Sequence, residues 1–254
     1  MKNLFLYVLA NEKVWEKMFT EQTPLLDAYI KSQIDNSLNF GWKRDDILFV
    51  TNFSYEYNNV KAIQLNSLSK TNNFSNKLLA VRELFVDRGI TDTIWLHDMD
   101  AWQNSRFDVP SVKDVGACFY WKLGMKNVAG TFNGGSIFYN PTAVDMLDKM
   151  IEHIEKDNLY KDESAFNRVC LSRVNKRRIE VSHRVTVLNN TYNIGKSWLK
   201  ERYALADKPI RVFHFHPEKR WNKFCGDRNK LGRQLVSHEL KQVLAHHFGP
   251  FIKR

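Results

Sequence analysis

Asp98 and Asp100 stand two residues apart where the apolar run Thr93-Ile94-Trp95-Leu96-His97 gives way to charge. Carboxylates at i and i+2 leave an extended segment on the same side. At the carboxyl end of a strand in an α/β sheet they would face the crevice where such sheets bind ligands. Such a pair can hold a hard divalent cation, which in turn neutralises a diphosphate. A polar turn closing a strand uses the same letters. Phe132-Asn133-Gly134-Gly135 precedes another apolar run. Its glycines let a backbone approach a ligand closely, and the Asn133 amide can bond sugar hydroxyls, although a plain hairpin turn reads the same way. His214 and His216 share a face of a strand, so either could complete a metal site begun by the aspartates, while Lys219 and Arg220 beside them could hold phosphate. Asp162 and Glu163 open a helix, where acidic residues are favoured for electrostatic reasons alone. A catalytic role for them needs support from neighbours.

The elements that must position these residues alternate. Strands are expected at Lys2–Ala10, Asp46–Thr51, Lys61–Leu65 and Thr93–His97, with helices from Pro24 to about Asn36 and at Asn76–Arg88, which stops at Gly89. Such alternation predicts an open, largely parallel sheet. Cys118–Tyr120 and Gly135–Tyr139 read as strands flanking a Gly-containing loop. Pro141–Lys156 reads as a helix with an apolar stripe, and Asp162 to about Val174 as another. Ile179–Val187 and Ile210–Phe215 are β-like, and Ser237–His247 reads as a final helix.

A chain of 254 residues with ordinary hydrophobic and charged content can bury its own core, and one domain over 1–254 is expected. The apolar run Leu4–Ala10 is too short for a signal peptide, and no run reaches membrane-span length. Three scattered cysteines suit a reducing compartment, so a cytoplasmic location is expected. Charge is divided unevenly. Residues 1–167 hold 18 basic and 22 acidic side chains, whereas residues 168–254 hold 20 and 6. The basic part contains Arg173, Lys176, Arg177, Arg178, Arg184, Lys219, Arg220, Lys223, Arg228, Lys230 and Arg233, interleaved with Trp221 and Phe224. That pattern predicts an anionic partner, either nucleic acid or an acidic membrane surface. No protein partner is expected.

Taken in order, Trp95-Leu96-His97-Asp98-Met99-Asp100, Phe132-Asn133-Gly134-Gly135, Asp162-Glu163-Ser164-Ala165-Phe166-Asn167 and the His214/His216–Lys219–Trp221 segment resemble the motif series of GT-A glycosyltransferases, above all the group of glycogenin and the lipopolysaccharide galactosyltransferases. The resemblance covers most of the chain. It implies an α/β, Rossmann-like GT-A fold with a mixed, mostly parallel sheet, and transfer of a sugar from a nucleotide-sugar, a UDP-sugar foremost. It further implies that Asp98, Asp100 and one of His214 or His216 bind Mn²⁺ or Mg²⁺, that Lys219 contacts the diphosphate, and that Asn133, Gly134 and Gly135 line the donor sugar. Asp162 or Glu163 would sit at the reacting centre, and Lys77 or Arg82 would grip the donor. The C-terminal segment departs from the group, with His216-Pro217-Glu218-Lys219-Arg220-Trp221 where a glycine and Lys-Pro-Trp are usual. Glu163 replaces a common glutamine, so the stereochemical outcome stays open. The expected acceptor is a hydroxyl, on hydroxymethylated DNA such as phages carry, with residues 168–254 facing it, or on a lipid-linked or surface glycan. A metal-dependent nucleotidyltransferase or phosphodiesterase would use the same paired carboxylates.

Overall fold

The computed structural model describes residues 1–8, 12–68, 75–120, 131–156, 162–175, 178–195, 199–226 and 235–252, and among these the side chains of 12–23, 173–175, 178–179 and 199–201 are not described. Strand β1 (Lys2–Tyr7) is followed by the long helix α1 (Glu12–Asn39), then β2 (Ile47–Thr51) and three two-residue strands, β3 (Glu56–Tyr57), β4 (Val60–Lys61) and β5 (Ile63–Gln64). Helix α2 (Asn76–Val86) leads into β6 (Ile94–His97), β7 (Ala101–Gln103), β8 (Val115–Tyr120) and β9 (Thr131–Tyr139). Next come α3 (Val144–Lys156), entered through a 3₁₀ turn at Pro141–Ala143, and α4 (Asp162–Cys170). A hairpin of β10 (Leu171–Asn175) and β11 (Arg178–Val181) precedes β12 (Val185–Leu188), β13 (Ile194–Gly195), α5 (Leu199–Leu205) and β14 (Val212–His214). Helices α6 (Pro217–Phe224) and α7 (His238–Phe248) end the fold.

Seven strands form one sheet in the order β12-β8-β9-β6-β1-β2-β5. All are parallel except β9, which runs against both β6 and β8. Side chains alternate between two cores. Leu4, Leu48, Val50 and Leu96 pack on one face with Leu78, Leu84, Met146, Leu147 and Phe166 of α2, α3 and α4. Phe5, Ile47 and Phe49 pack on the other with Ile30 and Ile34 of α1. Each fully buried aromatic or aliphatic side chain contributes about 1.5–3 kcal/mol, which is why the central strands read as apolar runs rather than as alternations. A second, three-stranded sheet, β13-β14-β7, has its own core of Trp102, Phe213, Phe215, Phe224, Leu240 and Phe248. No described helix is long and apolar enough to cross a membrane.

Several boundaries differ from the sequence reading. Helix α1 begins twelve residues before Pro24, which lies inside it; the proline marked a start that the preceding turns override. Leu9 and Ala10, expected in β1, lie outside the described residues. The segment after Cys170 leaves the helix and pairs as a hairpin with Arg178–Val181, because Leu171 and Val181 join the main core from opposite strands. The expected single strands at Lys61–Leu65 and Ile179–Val187 each divide between two sheets. Phe132–Gly135 is not a turn: it is the first half of β9, paired with β8 through Phe119 and Phe132. The sequence pattern does not predict helices α5 and α6; α6 starts at Pro217, whose missing N–H costs nothing in the first turn.

Arg184, counted in the basic part, is spent inside the fold. Its guanidinium holds both oxygens of Asp145 on α3, at 2.5 and 2.7 Å, the Thr142 carbonyl at 2.9 Å, and Asp114 ahead of β8. The Arg184 hydrogen bonds keep the Asp145 carboxyl below its ordinary range; at Asp114 burial pulls upward but Thr142 and Arg184 prevail. Arg184→Met is expected to destabilise the protein by about 1–2 kcal/mol at pH 7 in low salt, discounted because Asp145 is half exposed. Depressed carboxyl pKa values contribute stability above about pH 4 that is lost as pH falls through the folded values. The gap between wild type and variant in urea melts should therefore close below pH 4.

Candidate metal and ligand site

The apolar strand β6 ends at His97, and the chain turns at once: the Ala101 amide donates to the Asp98 carbonyl at 3.0 Å. The two carboxylates thus leave a turn, not an extended strand, yet still converge. The turn is held from three sides. Gln33 of α1 donates to the carbonyls of Met99 and Ala101 at 2.8 and 3.0 Å. The Asp98 amide donates to the Gly135 carbonyl at 3.0 Å, and the Phe215 amide to the Asp100 carbonyl at 2.9 Å. Beneath it the His97 ring lies between the Asp98 carbonyl, 2.9 Å from Nδ1, and Asn3, 2.8 Å from Nε2, and burial pushes its pKa down to about 4.

Strand β14 brings His214 across to this turn. Its Nε2 lies 3.0 Å from Asp100 Oδ1 and 3.7 Å from Asp98 Oδ2. One ligand atom from each of Asp98, Asp100 and His214 lies within 4.8 Å of the others, a spacing that could hold a divalent metal. Two carboxylates and an imidazole make an oxygen-rich, borderline-hard donor set, which fits Mn²⁺ or Mg²⁺ better than a thiophilic ion. His216 stands outside that group but on the same side, its Nε2 3.0 Å from Asp100 Oδ2. Tyr29 lies 3.1 Å from His216 Nδ1 and donates to Glu218 at 2.7 Å. Burial pulls the Asp100 carboxyl up, but the hydrogen bond with His214 and the field of His214 and His216 bring it below its ordinary range. His214 moves oppositely: burial lowers it, and Asp100 and Asp98 more than compensate.

The acidic helix start reaches the same place. Lys77 of α2 bonds Asp98 and, at 3.0 Å, Asp162 Oδ2. Burial disfavours its charge, but the two carboxylates hold it firmly protonated. Glu163 Oε2 accepts from the Gly134 amide at 3.1 Å and from Asn133 at 3.2 Å. Asn133 Oδ1 in turn accepts from Gly135 and Asn193, at 3.0 and 2.7 Å. The antiparallel register explains the arrival of Phe132–Gly135: Ser136 pairs with His97, so the preceding residues of β9 project past the carboxyl end of β6. Gly135 is needed there, since a Cβ would lie 2.5 Å from His214 Nδ1.

Asp98, Asp100, His214, His216, Lys77, Asp162, Glu163, Asn133, Gly134 and Gly135 are therefore brought together. Arg82 and Lys219 are not. Arg82 pairs with Asp148 of α3, and Lys219, 69% exposed, has Glu218 as its partner at 3.7 Å. Of the aromatics in the basic part, Phe224 is fully buried between Phe213 and Phe215 and is closed to stacking on bases, while Trp221 packs against the same core and is half-buried. Lys176, Arg177, Arg228, Lys230 and Arg233 lie outside the described residues. A cleft of about 250 Å³ opens beside the cluster, lined by Asp100, His214, His216, Asn133, Tyr120 and Arg202, among others. Sequence reasoning missed Tyr29, Gln33, Tyr120, Asn193 and Arg202. Glu218 had a signal, being two residues from His216; the others had none.

No protein-family profile and no curated protein sequence matches the chain. Solved structures do. The galactosyltransferase LgtC, in complex with donor and acceptor sugar analogues, is similar with a TM-score of 0.55 at 15% identity, over 99% of this chain and 100% of that one. The glycosyltransferase GlyE of Streptococcus pneumoniae gives 0.53 at 13%, over 100% of this chain and 65% of that one. The bifunctional glycosyltransferase WbbM gives 0.53 at 12%, over 97% and 49%. At these identities the likeness is one of fold, and with the seven-stranded, mostly parallel sheet flanked by helices it gives the chain the α/β, Rossmann-like GT-A fold of glycosyltransferases.

Proposed function

We propose that this chain is a metal-dependent glycosyltransferase that moves a sugar from a nucleotide-sugar, a UDP-sugar foremost, to an acceptor hydroxyl. The observation that carries the reading is the convergence of Asp98, Asp100 and His214 within 4.8 Å at the carboxyl end of β6, in a fold otherwise found with such enzymes. Mn²⁺ or Mg²⁺ bound by these three would offset the charge that develops on the departing diphosphate. The chain's own groups supply the rest. Lys77 fixes Asp98 and Asp162 against each other. Asn133 and the Gly134 backbone present polar groups to the donor sugar and hold Glu163 by one oxygen, leaving Oε1 to receive the acceptor proton. A nucleotidyltransferase or phosphodiesterase would want a further carboxylate at the metal; Asp162 faces the ammonium of Lys77 and is not among the grouped ligands.

A thermal-shift screen of nucleotide-sugars with and without Mn²⁺ tests this. A ligand that binds only the folded protein raises its melting temperature, by an amount that grows with concentration over Kd. One UDP- or GDP-sugar is expected to raise Tm only when Mn²⁺ is present, and slow release of the nucleoside diphosphate should follow. Absence of any donor-dependent shift sinks the proposal, and release of pyrophosphate transfers it to the nucleotidyltransferase class.

A further inference from the structure

Arg202 is a buried cation that the reaction just described does not use. It is 8% exposed, on α5, with its guanidinium 3.2 Å from the centre of the Tyr120 ring and lining the cleft beside Asp100, His214 and Asn133. Among the described residues it has no ion pair and no hydrogen bond. The groups that bear on it electrostatically are Tyr120 and Cys118, and burial keeps both protonated. The Tyr120 hydroxyl is turned away, donating to the Asn193 carbonyl.

Magnitudes show why this needs explanation. An arginine stays charged in a protein. Withdrawing its charge from water costs several kcal/mol, whereas a cation–π contact returns about 0.5–2 kcal/mol. Buried arginines are accordingly almost always paired. Here the missing counter-charge has a place to arrive: the planar donor fork borders a cleft next to the grouped carboxylates. Gly195 flanks it, and a Cβ there would lie 3.7 Å from the Arg202 Nη1, in ordinary contact with nothing else near.

We infer that Arg202 is an acceptor-binding residue that selects an anionic sugar, one carrying a carboxylate or a phosphate. This rests on the glycosyltransferase reading for the word acceptor, and deepens it by naming the acceptor's charge. Asp100, His214 and Asn133, which the metal and the donor sugar would engage, form one part of the cleft lining, and Tyr120, Gly195 and Arg202 are lining residues to which the reaction above gives no role. The Arg202 side is the remaining approach to Asn133 and Asp100. A cleft of about 250 Å³ lies below the usual range for a drug-sized ligand, so it reads one residue of a glycan, not a chain. Bidentate pairing with a planar guanidinium is the geometry that carboxylates and phosphates share.

Calorimetric titration with glucuronate, glucose 6-phosphate and glucose tests the inference, with UDP and Mn²⁺ titrated separately. Wild type is expected to bind the two anionic sugars at least about tenfold more tightly than glucose. Arg202→Met should erase that preference while changing UDP–Mn²⁺ affinity less than about twofold. Should Arg202→Met fail to fold, Gly195→Asp supplies an internal counter-ion: it should raise Tm without ligand and abolish the anionic preference, while the neutral Gly195→Asn keeps it. No preference in wild type, or a preference that survives both Arg202→Met and Gly195→Asp, overturns the inference. So does an Arg202→Met effect confined to UDP, which would place Arg202 on the donor. Failure of UDP to bind wild type with Mn²⁺ sinks the glycosyltransferase reading instead, and the sugar titrations still decide whether Arg202 binds anions.

Discussion

Asp100→Asn is expected to reduce Mn²⁺-dependent release of nucleoside diphosphate from the donor by about 10³-fold, with the fold intact. The size follows from geometry. Each oxygen of Asp100 anchors a different imidazole, His214 at 3.0 Å and His216 at 3.0 Å, and the carboxylate is also one of three grouped metal ligands. The amide removes the charge, weakens one ligand and leaves an N–H₂ facing one of the rings. Losing charge stabilisation of the departing diphosphate worth about 4 kcal/mol corresponds to about 10³ in rate. Asp98→Asn should resemble it in rate. Asp98 differs in that its other partner is Lys77, so removing its charge leaves a half-buried ammonium with Asp162 alone. Donor hydrolysis is the assay because it requires no acceptor, and circular dichroism checks the fold. A variant within tenfold of wild type at saturating Mn²⁺ would remove Asp100 from the metal site.

Part of this arrangement was legible because it is written in local pattern. A strand buried on both faces must be continuously apolar, so Ile94–Leu96 announces itself and the first carboxylate after it marks the end. Alternation along Val212–His216 places His214 and His216 on one side, and both meet Asp100. Other features depend on partners far along the chain. Two glycines favour a turn locally, and it is pairing with distant strands, Ser136 opposite His97 of β6 at one end and Phe132 opposite Phe119 of β8 at the other, that keeps Phe132–Gly135 extended. The charge imbalance of the last third was real, but counting cannot reveal that Arg184 is matched by Asp114 and Asp145, or that Phe224 is core. Arg202 is the reverse case. Nothing in its neighbourhood along the chain distinguishes it, because its oddity lies in three dimensions: among the described residues it meets an aromatic ring but no carboxylate.

The glycine that pattern alone read as a turn former yields the second large effect. Gly135→Ala is expected to weaken Mn²⁺ binding by about 10- to 100-fold and to lower donor hydrolysis correspondingly, whereas Gly134→Ala should change Mn²⁺ affinity by less than about threefold. At Gly135 the new methyl would stand 2.5 and 2.6 Å from two atoms of the His214 ring and 3.0 Å from Asn133 Oδ1. Neither backbone can easily retreat. β9 is held by Ser136 opposite His97 and by the Asp98 amide on the Gly135 carbonyl, and β14 is held between β13 and β7. The ring therefore has to rotate away from Asp100, taking its Nε2 out of the group of three. Overpacking of this kind also costs about 1–3 kcal/mol of stability. At Gly134 the same methyl meets Glu163 Cβ at 3.6 Å, an ordinary contact that leaves the His214 ring alone. Calorimetric titration of Mn²⁺ into the two variants separates the cases, since both add one methyl to adjacent residues of one strand. Equal affinities in Gly135→Ala and wild type would mean that His214 is not a metal ligand, and the imidazole to test next would be His216.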